Sequence, residues 1–173
     1  KIRAIGVSNV SLDQFKTYDS VGELSSNQFR YSMLHRDREE DILAYAAKHD
    51  IATLTYWSLE AGLLAGKVNL ERVFEKNDFR NHAAQWHPWY KKENIERLLD
   101  VFVKWSDILN RHECTLSQLV IAWTAAQPGA SHVLCGAKTA AQSEQNADAG
   151  SIVLEPDEID RIRDDLNALG DPI

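Results

Sequence analysis

The sequence predicts an α/β fold built on a parallel sheet. Short runs rich in β-formers alternate with segments of helical periodicity, in the order strand, helix, strand, helix, strand. Parallel neighbours need a crossover long enough to hold a helix, and these segments supply one each time. No fixed-period repeat, low-complexity tract or linker divides the 173 residues, which are enough to bury a sizeable core.

Residues 2–7 place β-branched residues beside small ones and run into the polar Ser8-Asn9, a strand leading to a loop. Ser11 then precedes Leu12, Phe15 and Tyr18, whose three- and four-residue spacing predicts a short helix capped by Ser11. Residues 24–31 form a second strand, unusually polar at Asn27 and Gln28. From Asp37 the pattern is helical through Ile42, Leu43, Ala46 and Ala47. Acidic residues open it and Lys48 and His49 close it, as the helix dipole favours. Residues 51–57 give a third strand. Residues 58–90 read as a long loop with a helical turn, and loops of that length in compact domains usually serve function. Residues 93–111 predict one amphipathic helix, and a second, apolar all round and therefore buried, runs from Thr115 to Gln127 before Pro128-Gly129. Residues 132–135 are a fourth strand, Thr139 opens a helix through Asn146, and a last acidic helix starts near Glu155-Pro156.

Composition narrows the function. Apolar residues make up 44% of the chain, and 26 acidic residues against 19 basic ones give a net charge of −7. That surplus argues against a nucleic-acid or anionic-membrane partner. The longest apolar runs fall well short of the roughly 18 residues of a membrane span. Two cysteines, Cys114 and Cys135, are too few for a disulfide scaffold and suit a reducing cytoplasm, the expected location. The chain opens on Lys1-Ile2-Arg3-Ala4-Ile5-Gly6-Val7 with no methionine or signal peptide, as though cut directly in front of a strand.

Several chemistries have no counterpart in the sequence. No Gly-x-Gly-x-x-Gly follows a strand, and no phosphate-binding P-loop occurs. The six histidines lack metal-ligand spacing. His82 and His87, five apart beside Trp86 and Trp89, read as ordinary loop surface rather than a metal site. Cys135, at a strand end, reads as an inert small hydrophobe rather than a nucleophile.

The C-terminal ends of the strands are more informative, because parallel α/β folds bind ligands there. They supply Ser8 and Asn9, Asn27 and Gln28, Tyr56 and Trp57, then Gly136, Ala137 and Lys138. Amides and hydroxyls suit a carboxamide, an aromatic face suits a flat heterocycle, and glycine beside lysine at a helix start suits phosphate. Each has a plain structural reading alone: Asn9 a turn residue, Gln28 an interior hydrogen bond, Tyr56 core, Lys138 solvated surface. Four such sets at one end of one sheet favour a ligand site.

These residues carry a resemblance. Residues 1–9 are similar to the fifth-strand signature of the aldo-keto reductases. Tyr56 and Gly62-Leu63-Leu64-Ala65-Gly66-Lys67 resemble their seventh-strand loop. Gln118-Leu119-Val120-Ile121-Ala122-Trp123 and Gly136-Ala137-Lys138-Thr139 with Gln142 and Asn146 resemble their buried helix and eighth-strand cofactor segment. Asp78-Phe79-Arg80 and the Asp171-Pro172 ending resemble the bacterial general-stress-protein branch, and potassium-channel β subunits share the pattern more distantly.

The resemblance implies NADP as cofactor. Ser8, Asn9 and Gln28 would hold the nicotinamide carboxamide and Tyr56 would stack on the ring. Leu59, Gly62 and Lys67 would belt the pyrophosphate, and Gly136, Lys138, Thr139, Gln142, Gln145 and Asn146 would surround the adenosine ribose and its 2′-phosphate. Trp57, Ser58 and Glu60 depart from the usual Ser, Pro and Ala: Glu60 would bring a carboxylate near the pyrophosphate, and Trp57 competes with Tyr56 as the stacking residue. Trp86, Trp89 and Tyr90 would partly wall the cleft.

The family's catalytic Asp, Tyr, Lys and His come from the first four strands and have no counterpart here. A whole (β/α)8 TIM barrel needs roughly 250 residues. Residues 1–173 are therefore expected to be the C-terminal half of the barrel, strands 5–8, inactive alone, with its open edges covered by the missing N-terminal half-barrel or a second copy. The whole would reduce a small carbonyl substrate. The alternatives are a nucleotide-sensing subunit of channel-β type and a structural half-barrel without cofactor affinity.

Overall fold

The computed structural model describes residues 1–173. Four strands, β1 (Gly6–Ser8), β2 (Ser26–Arg30), β3 (Ala52–Tyr56) and β4 (His132–Val133), form one sheet in chain order with every pair parallel. Gly6 pairs with Ser26, Ser26 with Ala52, and Leu54 with His132. The expected α/β class and strand order are thus present, with shorter strands than the sequence suggests at β1 and β4.

Strand alternation divides the sheet into two faces. On β2 and β3, Asn27, Phe29, Thr53 and Thr55 are buried, whereas Ser26, Gln28, Arg30, Ala52, Leu54 and Tyr56 are half-buried. Phe29 packs among Phe15 of α1 (Leu12–Val21), Ala46 of α2 (Ala44–Lys48), and Ile42 and Leu43 of the π-helical turn before α2. The opposite face carries no helix layer of its own, and β1 and β4 are left as open edges.

The helices begin where capping chemistry directs. Ser11 Oγ accepts from the Gln14 N–H while the Gln14 side chain accepts from the Ser11 N–H, a reciprocal box repeated by Thr115 and Gln118 at α5 (Leu116–Ala125). Thr139 caps α6 (Ala140–Asp148), and α7 (Pro156–Leu169) opens with proline at its first position. The single helix expected over residues 93–111 is instead two, α3 (Lys92–Lys104) and α4 (Ser106–Arg111). The break falls at Trp105, whose fully buried indole donates from Nε1 to Asp165 of α7 at 2.9 Å. The apolar α5 is buried as its composition requires, within the larger core shared with α3, α4 and α7.

Two close contacts fix the approach to β4. Thr53 Oγ1 donates to the Gly129 carbonyl at 2.6 Å and accepts from the Ser131 N–H at 2.9 Å. Gly129 has φ of +85°, and a Cβ there would lie 2.5 Å from the Leu43 carbonyl oxygen. Gly129→Ala is therefore expected to destabilise the fold by about 2 kcal/mol or more in denaturant titration, from left-handed strain plus backbone overlap.

Candidate functional site

A cleft of about 590 Å³ opens at the C-terminal end of the sheet, between the loop after β3 and the segment joining β4 to α6. Its size is within the range of small-molecule and cofactor sites. Of the residues expected to bind cofactor, Trp57, Leu59, Gly62, Lys67, Gly136, Lys138, Gln142, Gln145 and Asn146 line it. Arg72, Phe74, Phe79, Arg80, Ser117 and Cys135 join them. The lining holds four cations, Lys67, Arg72, Arg80 and Lys138, and no carboxylate, although the whole chain carries −7. A cation-lined cleft without acid groups suits a phosphate-bearing anion.

The floor on the β4 side is shaped by local hydrogen bonds. Thr139 Oγ1 accepts from the Gln142 N–H, and Gln142 Oε1 in turn accepts from the Lys138 N–H at 2.7 Å. Thr139 therefore orders the N-terminus of α6 and is not itself among the lining residues. A Cβ on Gly136 would meet no atom within 4 Å, so nothing in the protein requires glycine there, and a side chain would project into open space.

Ser8, Asn9, Gln28 and Tyr56 lie outside the cleft lining and form a second group on the strand ends. Tyr56 Oη donates to Asn9 Oδ1 at 2.8 Å, and Asn9 Nδ2 donates to Ser8 Oγ at 3.0 Å. Asn9 holds this position with φ of 55°. Ser8 is directly opposite Gln28 in the β1–β2 register, so all four polar groups share one end of the sheet. Trp57, not Tyr56, reaches the cleft.

The loop after β3 overturns one expectation. Glu60 does not point toward the cleft: its side chain is fully buried and turned away. Its Oε1 accepts from Ser32 Oγ at 2.5 Å, and its Oε2 accepts from Arg30 Nη2 at 2.5 Å and from His87 Nε2 at 2.7 Å. Because a carboxylate only accepts, the His87 hydrogen lies on Nε2. Burial would raise the Glu60 pKa, but the hydrogen bonds from His87, Arg30 and Ser32 outweigh it and hold the carboxyl below its usual value. His87, expected on the loop surface, is 4% exposed for the same reason.

Aromatic and charged neighbours extend this cluster. The Arg30 guanidinium lies 4.8 Å from the Trp57 ring centroid, and the Trp57 and His87 rings are near-parallel. Trp86 meets Trp57 edge-on and stacks on Phe79. Trp89 and Tyr90, expected to wall the cleft, are core residues instead, and Tyr90 Oη supports the loop from beneath by donating to the Ala61 carbonyl at 3.0 Å. Burial pushes the Tyr90 hydroxyl up to about 12, and pushes the Cys135 thiol up to about 11, so neither ionises readily near neutrality. Arg80 donates to both oxygens of Asp78, whose carboxyl those bonds hold well below the usual range, and its Nη1 reaches the Ala61 carbonyl at 3.3 Å.

A profile described as "Aldo/keto reductase family" matches residues 1–166. The chain belongs to the aldo-keto reductases. It is 36% identical over 176 residues to the aldo-keto reductase YhdN of Bacillus subtilis, covering all of this chain and 52% of that protein. It is 31% identical to the NADH-specific methylglyoxal reductase of Escherichia coli, covering 98% of this chain and 50% of that protein. The solved glycerol dehydrogenase AKR11B4 from Gluconobacter oxydans superposes over the whole chain with a TM-score of 0.87 at 30% identity, across 52% of its own length. This aldo-keto reductase chain thus spans about half the length of the relatives it matches. No helix in it is long and apolar enough to cross a membrane.

Arg30 and Ser32 belong to no sequence motif and His87 looks like loop surface, because the meeting of the three depends on Glu60 folding inward. The cleft residues Arg72 and Phe74 lie in a loop without periodicity, whereas Asp78-Phe79-Arg80 is visible as a local motif. The network has a pH signature. Glu60 contributes stability that is fully present above its ordinary value of 4.5 and is lost as pH falls through its lower folded value. Glu60→Gln is therefore expected to lower Tm at neutral pH and to flatten the fall in Tm below about pH 4.5. Parallel melting profiles of variant and parent across pH 2–7 would contradict this.

Proposed function

We propose that residues 1–173 are the C-terminal half, strands 5–8, of an NADP-dependent aldo-keto reductase barrel and supply its cofactor-binding half. The observation that carries this reading is the carboxylate-free cleft lined by Lys67, Arg72, Arg80 and Lys138, with Glu60 withdrawn beneath it. The cofactor supplies a hydride for reduction of an aldehyde or ketone. Lys138, Gln142, Gln145 and Asn146 hold the adenosine ribose and its 2′-phosphate, and Leu59, Gly62 and Lys67 flank the diphosphate. Ser8, Asn9 and Gln28 orient the nicotinamide carboxamide, with Tyr56 or Trp57 against the ring. The acid that protonates the carbonyl oxygen, with the rest of the catalytic set, lies on the first four strands, so residues 1–173 alone bind cofactor without turnover.

One relative is named NADH-specific, which makes the 2′-phosphate preference a sharp test. Titration with NADPH and NADH, read by tryptophan fluorescence, is expected to show tighter binding of NADPH. No quenching at saturating NADPH would overturn the reading. Lys138→Ala is expected to weaken NADPH by about tenfold, one charge-assisted hydrogen bond, while leaving NADH nearly unchanged. Tyr56→Ala is expected to weaken cofactor binding more than Trp57→Ala. The opposite order would assign ring stacking to Trp57.

A further inference from the structure

Backbone geometry around the cleft is unusual over six residues. Trp57, Glu60 and Ala61 have φ of 61°, 44° and 55°, and Gly62 has φ of 95°. Three of these four carry a Cβ, which the left-handed region disfavours. Such backbone persists only where surrounding structure over-determines it. The chain's own hydrogen bonds identify what does so here. The Glu60 N–H donates to the Trp57 carbonyl at 2.8 Å and the Gly62 N–H to the Leu59 carbonyl at 2.9 Å, which closes the turn. Nothing in those two bonds attaches the turn to the sheet.

Ser58 Oγ donates to the Thr55 carbonyl of β3 at 3.4 Å, and Tyr90 and Arg80 donate to the Ala61 carbonyl, but the most extensive attachment comes from the Glu60 side chain. Ser32, fully buried just after β2, donates to one carboxylate oxygen and also accepts from the Leu34 N–H at 3.2 Å, so the tether continues into backbone. Arg30, the last residue of β2, donates to the other oxygen. His87 brings the loop of residues 79–90 to the same oxygen. One carboxylate thus ties three separate segments together directly beneath Trp57, Leu59, Ala61 and Gly62, the residues through which this turn lines the cleft. Arg30 also bears on the Trp57 ring from the tethered side.

We infer that Glu60 is a positioning residue that holds the left-handed turn of residues 57–62 in the shape that receives the cofactor's diphosphate, acting through Ser32, Arg30 and His87 rather than by touching the ligand. The inference rests on the cofactor reading above. It differs from a purely structural role, in which Glu60 would serve only to neutralise the Arg30 charge.

The test uses the full polypeptide that contains residues 1–173 and three ligands: NADPH, ADP-ribose, which keeps the diphosphate, and adenosine 2′-monophosphate, which lacks it. Glu60→Ala is expected to weaken NADPH and ADP-ribose by about tenfold or more and adenosine 2′-monophosphate by less than about twofold. Glu60→Gln, which keeps an acceptor for Ser32 or Arg30, is expected to fall between Glu60→Ala and the parent. The double variant Arg30→Met/Glu60→Ala removes the stranded cation without restoring the tether, and it is expected to stay weak. Equal weakening of all three ligands, unchanged NADPH binding in Glu60→Ala, or recovery in the double variant would each overturn the inference. A parent protein that binds none of the three ligands would overturn the cofactor reading itself. Should Glu60→Ala fail to fold, Ser32→Ala and His87→Phe each remove one tether while leaving Arg30 paired. Loss confined to the two diphosphate ligands in either variant supports the role, and no loss in both refutes it.

Discussion

A carboxylate taken completely out of water must be paired with donors, or it loses its charge or unfolds its surroundings. Glu60 is in that position, and meeting its demand organises the functional end of this molecule. Three donors converge on it: Arg30 at the end of β2, Ser32 two residues later, and His87 in a loop 27 residues beyond Glu60. Their convergence draws the loop of residues 79–90 against the sheet. It also keeps the Glu60 carboxylate out of the cleft, whose nearby Asp78 is paired with Arg80. Had Glu60 turned outward, the same residue would have opposed the four cations that line the cleft.

The sheet sets a second constraint. In a parallel sheet the strand ends that carry Ser8, Gln28 and Tyr56 stand side by side, because the crossovers return each chain to the same end. Helices cover one face only: Phe29, Thr53 and Thr55 are buried while their alternates stay half-exposed. A helix on each crossover and a bare opposite face is the arrangement of a barrel wall seen from inside. It agrees with the chain spanning about half of the relatives it matches.

Much of the fold was legible because its signals are local. Ser11 with Gln14 and Thr115 with Gln118 announce helix starts through groups three residues apart, and both boxes form. The all-apolar α5 could only be interior. The cleft residues of the Gly136 to Asn146 segment were readable from motif alone, and most of them line it. What stayed hidden depends on side-chain direction. At Glu60 the sequence shows a carboxylate but not that φ of 44° turns it inward toward residues about thirty positions away. Trp89 and Tyr90 look like cleft aromatics beside Trp86, yet adjacent residues in a turn face different ways, and only Trp86 stays substantially exposed. Trp105 interrupts a perfect amphipathic pattern because its indole seeks Asp165 on another helix, a tertiary demand that periodicity does not encode.

These features bear on why the turn departs from the family's usual Ser, Pro and Ala. Proline would fix one φ near −65° and so stiffen a turn through its own covalent ring. Here the corresponding residues are Trp57, Ser58 and Glu60, and none restricts the backbone that way. Beyond the two backbone hydrogen bonds that close the turn, its rigidity comes from outside. A buried, multiply hydrogen-bonded charge is well suited, since its bonds are strong and directional in a low-dielectric setting. The buried carboxylate and the left-handed backbone at residues 60 and 61 belong together: the donors on Glu60, with Tyr90 and Arg80 on the Ala61 carbonyl, hold a backbone that a Cβ disfavours.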